Sequence, residues 1–203
     1  MINGLYAITP DETDTKRLVE KVRSALEGGV RIVQYRNKTS SIALHLIQAT
    51  ALLKVCREFS VPLIINDDVD LALEIDADGV HLGKEDASFI EVLGKFNSKK
   101  ILGVSCYDQI NLALAAQEAG ASYVAFGSFF PSETKPYATP APLSLLHKAK
   151  QQIKIPIVAI GGITPDNADK VIDAGADAIA VISALFDAPD VKTTAQKFSR
   201  LFH

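Results

Sequence analysis

Short apolar runs of strand length alternate with helix-period segments along the chain. Residues 5–9 (LYAIT) read as a first strand. A helix over 14–27 follows, with Leu18, Val22 and Leu26 on one face and Gly28-Gly29 closing it. Residues 31–36 form a second strand. The next helix, 41–59, has Ser40 or Ser41 as N-cap and Ile42, Leu46, Leu53 and Cys56 near one face. The remaining strands fall at 62–65, 79–82, 101–104, 123–126, 157–160 and 179–182. Their helices fall at 69–75, 88–96, 109–119, 142–153, 165–174 and 193–202, with Pro165 suited to a first turn.

Eight strand-then-helix units with no change of composition predict the α/β class and one closed (β/α)8 barrel, a TIM barrel, spanning 1–203 as a single domain. The phrases ADGVHLG, ASYVAFG and ADAIAVI repeat one solution to the helix-to-strand corner, in which small residues let the helix pack close to the next strand. The longest irregular stretch is 127–142, GSFFPSETKPYATPAP. A loop of that length in a small barrel is a candidate lid.

Composition narrows the picture further. A hydrophobic content of 48% and a charged content of 22% are those of a soluble globular protein. A net charge of -3 gives no nucleic-acid surface. The two cysteines, Cys56 and Cys106, make no disulfide framework and read as reduced thiols, which predicts a cytoplasmic protein. MINGLYAITP lacks a basic region followed by a long apolar run, so no signal peptide is expected. No segment approaches the roughly 20 apolar residues that span a bilayer, so no membrane partner is expected.

In this fold the chemistry sits where the strands end. Strand two ends QYRNK, and period 2 puts Gln34, Arg36 and Lys38 on one face, a clamp for a multiply charged phosphate. Strand three ends Asn66-Asp67-Asp68, and Asp86 follows strand four. Two carboxylates at one barrel edge suit a hard cation that shares a substrate's phosphate oxygens. Helix capping explains the same aspartates equally well from spacing alone. His81, inside strand four, reads as scaffold. Ser105 ends strand five, and no Ser/His/Asp arrangement marks it as a nucleophile. Ser132, Glu133, Thr134 and Lys135 offer hydroxyls and an ammonium in the long loop. Gly161-Gly162 and Ile182-Ser183 follow strands seven and eight, where barrels of this kind bind phosphate. The mouth thus offers two anionic subsites.

Six segments in order, VQYRNK, INDDVDLALEIDADGVHLGKED, ILGVSCY, GSFFPSETK, IVAIGGIT and AIAVISALF, closely resemble the thiamine phosphate synthase family over nearly the whole chain. The resemblance implies a transferase dependent on one Mg²⁺ per active site. It would join 4-amino-2-methyl-5-hydroxymethylpyrimidine diphosphate to 4-methyl-5-(2-phosphoethyl)-thiazole, giving thiamine phosphate and pyrophosphate. By position, Gln34, Arg36, Lys38, Asn66, Ser105 and Lys135 resemble the pyrimidine-diphosphate contacts. Asp67 and Asp86 resemble the metal ligands. Ser132, Glu133, Thr134, Gly162, Ile182 and Ser183 resemble the thiazole-phosphate contacts. Arg36, Lys38 and Lys135, with the metal, would stabilise the leaving diphosphate in a dissociative reaction. The partners implied are two small phosphorylated heterocycles, with a homo-oligomer compatible. Ser132 stands where threonine is common, and PYATPAP is unusually rich in proline. The competing readings are a thiazole tautomerase-like isomerase, a non-catalytic thiazole-phosphate binder, and a phosphosugar isomerase or aldolase barrel. The isomerase and binder readings leave the paired carboxylates and the cationic clamp unused. An aldolase needs a strand lysine for a Schiff base. Lys38 is the one strand-end lysine at the mouth, and Arg36 beside it suits phosphate.

Overall fold

Alternation along each strand decides which side chains enter the barrel. The computed structural model describes residues 2–83, 91–92, 95, 100–131 and 140–202. Eight parallel strands close in sequence order: β1 (Gly4–Ile8), β2 (Ile32–Tyr35), β3 (Leu63–Asn66), β4 (Gly79–Leu82), β5 (Ile101–Tyr107), β6 (Tyr123–Gly127), β7 (Ile157–Ile160) and β8 (Ala178–Val181). β8 returns to β1 with Gly4 opposite Ala178. The described helices are α1 (Thr15–Glu27), α2 (Ile42–Glu58), α3 (Val69–Glu74), α4 (Ile110–Glu118), α5 (Ser144–Gln152), α6 (Ala168–Asp173), α7 (Ser183–Phe186) and α8 (Val191–Ser199). A 3₁₀ turn over Arg200–Phe202 follows α8. Glu91, Val92 and Lys95 are helical where a helix is expected after β4; the rest of that segment lies outside the described residues. The closed parallel barrel is the architecture the unit count predicts.

Period 2 divides the strands cleanly. Leu5, Ala7, Val33, Leu63, Ile65, Val80, Val124 and Phe126 face outward and pack with the helices in the larger apolar cluster. Tyr6, Ile8, Ile32, Ile64, Tyr123, Ala125, Val158, Ala178 and Ala180 fill the barrel. Gly103 makes room for Tyr123: a Cβ there would lie 2.1 Å from Tyr123 Cζ.

The repeated corner has a polar component beyond its small residues. Asp78 Oδ2 accepts from Leu63 N at 2.8 Å, and Asp177 Oδ2 accepts from Ile157 N at 2.9 Å. Ser122 Oγ accepts from Leu102 N at 3.0 Å. In each case the residue after the corner alanine ties down the start of the neighbouring strand. That satisfies a backbone donor which the ladder leaves open.

Four details differ from the sequence pattern. The buried face of α2 is Gln48, Ala49, Leu52, Leu53, Val55 and Cys56, while Ile42 is 86% exposed. Gln48 turns inward because its amide meets Tyr35 and the Glu12 carbonyl. Pro165 precedes α6 in a turn held by Thr164 N donating to Asn167 Oδ1 at 2.9 Å. α7 is one short turn that periodicity cannot register. The last α-helix ends at Ser199.

Candidate active site

The C-terminal strand ends carry two cavities. The first, of about 170 Å³, lies between the loops after β2 and β3 and is lined by Arg36, Lys38, His45, Asn66, Asp67 and Asp68 among others. Alternation carries Arg36 to the end of β2, where its N–H donates to Thr9 Oγ1 at 2.9 Å. Strand geometry stops at Tyr35, so Lys38 sits on the exposed rim rather than on a continued strand face. Its backbone N donates to Asp11 Oδ1 at 2.9 Å, and Arg36 Nη1 meets the same oxygen at 3.4 Å. Asp11, in the loop after β1, therefore braces this wall from outside the strand ends.

The three polar residues after β3 have separate duties. Asp68 Oδ1 accepts from Leu71 N at 2.9 Å and caps α3. Asp67 does not cap. It takes a left-handed backbone, φ 62°, its N–H donates to the His81 carbonyl at 2.9 Å, and its Oδ2 accepts from Asn66 Nδ2 at 2.6 Å. That strained conformation holds a carboxylate in the cavity beside two cations. The capping explanation thus belongs to Asp68, while Asp67 brings to the cavity a carboxylate of the kind that suits Mg²⁺. Asp86 lies outside the described residues, among which no group of three or more metal-ligating side chains occurs.

The second cavity, of about 310 Å³, is lined by Ser105, Gly161, Gly162, Thr164, Ile182 and Ser183 among others. The paired glycines are required by close packing. Gly162 has φ +64°, and a Cβ on it would lie 2.3 Å from the Pro131 carbonyl oxygen. Gly161 has φ +101°, and its Cβ would lie 2.1 Å from Ser128 Oγ. Phe130 N donates to the Gly161 carbonyl at 3.0 Å, so the start of the long loop is seated on this turn. Ser132, Glu133, Thr134 and Lys135 lie outside the described residues, as does most of the proline-rich stretch after them.

A buried polar chain connects the clamp strand with the second cavity. Gln34 Nε2 donates to the Tyr6 hydroxyl at 2.8 Å, and the Tyr6 and Tyr123 hydroxyls meet at 2.7 Å. Tyr123 Oη and His81 Nδ1 are 2.9 Å apart, and His81 Nε2 and Ser105 Oγ 2.8 Å. Burial pushes both phenols up, so each keeps its proton. His81 is a buried, hydrogen-bonded strand residue, as its scaffold reading expects, and it joins Tyr123 to Ser105. Tyr6, Gln34, His81 and Tyr123 all occupy inward positions of their strands, a signal that period 2 contains once the barrel is assumed. The cysteines take no part: burial pushes the Cys106 thiol up to about 12, and that of Cys56 likewise.

The structure therefore brings Arg36, Lys38, Asn66 and Asp67 to one cavity, and Ser105, Gly162, Ile182 and Ser183 to the other. Gln34 is joined to Ser105 by the buried chain.

The chain is similar to known proteins over nearly its whole length. A family model described as thiamine monophosphate synthase matches residues 5–185. The chain is 55% identical over 201 residues to the thiamine-phosphate synthase of Nitrosospira multiformis, covering 99% of this chain and 86% of that one. It is 54% identical over 199 residues to that of Thiobacillus denitrificans, covering 98% and 94%. Among solved structures it superposes on thiamine phosphate pyrophosphorylase from Pyrococcus furiosus with TM-score 0.86 and 38% identity, covering 98% and 95%. A 3-hexulose-6-phosphate synthase structure shares the fold alone, with TM-score 0.75 and 16% identity.

Proposed function

The chain belongs to the thiamine monophosphate synthase family, and from that premise we propose how its two cavities divide the substrates. The protein is a transferase, a thiamine-phosphate synthase. Arg36, Lys38, Asn66 and Gln34, with Lys135, bind the pyrimidine diphosphate, whose pyrimidine end extends into the second cavity, where Ser105 contacts it. Gly162, Ile182 and Ser183, with Ser132, Glu133 and Thr134, bind the thiazole phosphate. Asp67 and Asp86 hold one Mg²⁺. When bound, Mg²⁺ supplies charge neutralisation to the departing diphosphate.

The observation that carries this division is the pairing of two cations with a non-capping carboxylate in one cavity, and a glycine-lined, Ser183-edged cavity at the same barrel end. In the reaction, the bond between the pyrimidine methylene carbon and the diphosphate oxygen breaks, and its electrons leave with pyrophosphate. The thiazole nitrogen lone pair then forms the new C–N bond. Arg36 and Lys38 stabilise the growing charge on the leaving group, and Asn66 holds Asp67 in place for the metal. Little acid–base chemistry is needed. The buried thiols and the helix-capping Asp68 are consistent with that. No described helix is long and apolar enough to cross a membrane, and we assign the protein to the cytoplasm.

Arg36→Ala tests the division. Losing a charge-assisted contact of about 2–3 kcal/mol predicts a fall of roughly 30–150-fold in kcat/KM for the pyrimidine diphosphate. Affinity for the thiazole phosphate should be unchanged. Loss confined to the thiazole phosphate would overturn the assignment.

A further inference from the structure

The polar chain inside the barrel can be followed proton by proton. Tyr6 is 1% exposed, and its hydroxyl accepts from Gln34 Nε2. Its own proton has one acceptor among the described residues, Tyr123 Oη at 2.7 Å. Tyr123, fully buried, thus receives Tyr6's proton and must direct its own elsewhere. Gln34 also reaches it as a donor, so the acceptor for its proton is His81 Nδ1, at 2.9 Å. A neutral imidazole that accepts at Nδ1 carries its proton at Nε2, and Nε2 faces Ser105 Oγ at 2.8 Å. The serine oxygen therefore accepts from His81, and its own proton remains to be given away. Ser105 lines the 310 Å³ cavity. The His81 ring is fixed against Tyr123 by stacking, with centroids 5.6 Å apart and planes 22° apart.

We propose that His81 is a positioning residue: a one-way chain of hydrogen bonds from Gln34 through Tyr6 and Tyr123 sets its tautomer, and that tautomer fixes Ser105 as a hydrogen-bond donor toward the pyrimidine diphosphate. Two consequences follow. Ser105 serves acceptor atoms of the ligand, such as a ring nitrogen or a phosphate oxygen, and rejects a donor placed there. Ser105 is also barred from acting as a nucleophile despite its neighbouring histidine. Nε2 already bears a proton and cannot take another from the serine hydroxyl. The pair looks like a catalytic dyad and is wired in the opposite sense. The opposite polarity, with Ser105 donating inward and Gln34 accepting through Oε1, would instead require His81 to be protonated at Nδ1.

The tautomer can be read in the ligand-free protein, independently of any activity, by long-range ¹H–¹⁵N correlation on ¹⁵N-histidine-labelled chain. His81→Gln assigns the signal. The expected pattern is a protonated Nε2 with an unprotonated Nδ1; a protonated Nδ1 in the neutral ring overturns the proposal. The ligand arm rests on the assignment of Ser105 to the pyrimidine diphosphate. Tyr123→Phe keeps the ring and removes the hydroxyl that sets the tautomer. It should raise KM for the pyrimidine diphosphate about tenfold in the native background, and by less than about twofold in a Ser105→Ala background. Equal, additive losses in both backgrounds would mean that Tyr123 acts only through packing, and would overturn the proposal. If the tautomer is as stated and no thiamine phosphate forms, the functional reading fails and the wiring stands.

Discussion

Adjacent aspartates after β3 should separate stability from catalysis. Asp68 accepts from Leu71 N at 2.9 Å and caps α3, so Asp68→Ala should cost about 1 kcal/mol, as the loss of an N-cap usually does. For a chain of this size that lowers the Tm by about 2–4 °C. Its Mg²⁺ requirement and turnover should stay near wild type. Asp67 occupies φ 62°, a conformation that asparagine tolerates well. Asp67→Asn therefore keeps the backbone and the contact with Asn66, and should change stability by less than about 0.5 kcal/mol. It removes the negative charge from the cavity that Arg36 and Lys38 also line. Changes in the outer shell of a metal site cost about 10–100-fold, so losing a ligand charge should exceed about 100-fold in rate and raise the Mg²⁺ concentration needed. Thermal unfolding and a rate measured across a Mg²⁺ titration give both quantities. An Asp67→Asn enzyme within a few-fold of wild type, or an Asp68→Ala enzyme that loses its metal dependence, would refute the assignment.

Two further outcomes are expected. Ser183→Glu places a carboxylate where the thiazole phosphate is assigned. At ~5 Å and an effective dielectric of ~20, the repulsion is on the order of 3 kcal/mol per unit charge. Titration calorimetry should show thiazole-phosphate binding weakened about 100-fold, with pyrimidine-diphosphate binding little changed; equal losses would contradict the two-cavity division. Glu12→Gln tests the loop after β1. Arg17 donates to the Glu12 carboxylate at 2.5 and 2.8 Å, and that hydrogen bonding lowers its carboxyl to about 2. The depressed group stabilises the fold fully above the ordinary carboxyl range and loses that contribution as pH falls toward 2. Wild type should exceed the variant by roughly 1–2 kcal/mol near neutrality in urea unfolding, discounted because Arg17 is exposed. The gap should close near pH 2, and one that persists there would count against the ion pair.

The barrel was legible because its strands are short apolar runs and its helices open with Asp14, Ser41 and Asp68, each accepting from a first-turn N–H. Pattern erred where polar contacts override it. Gln48 is fully buried on α2 while Ile42 is not, because the glutamine satisfies Tyr35 and the Glu12 carbonyl. The ambiguity between capping and metal binding could not be settled by spacing, since neighbouring aspartates differ only in backbone conformation. His81 read as scaffold because a strand histidine has no local signature. Its role comes from Tyr123, 42 positions away. Asp11 has no signal in the strand-end pattern, since it belongs to the loop after β1 and is tied to the cavity through Arg36 and the Lys38 backbone.

The central claim is that this barrel makes thiamine phosphate with loss of pyrophosphate. The direct measurement is pyrophosphate release by purified protein given both the pyrimidine diphosphate and the thiazole phosphate with Mg²⁺. Release should match thiamine phosphate formed one for one and fall sharply when either substrate is left out. No release with both substrates, in Mg²⁺ or Mn²⁺, would contradict it.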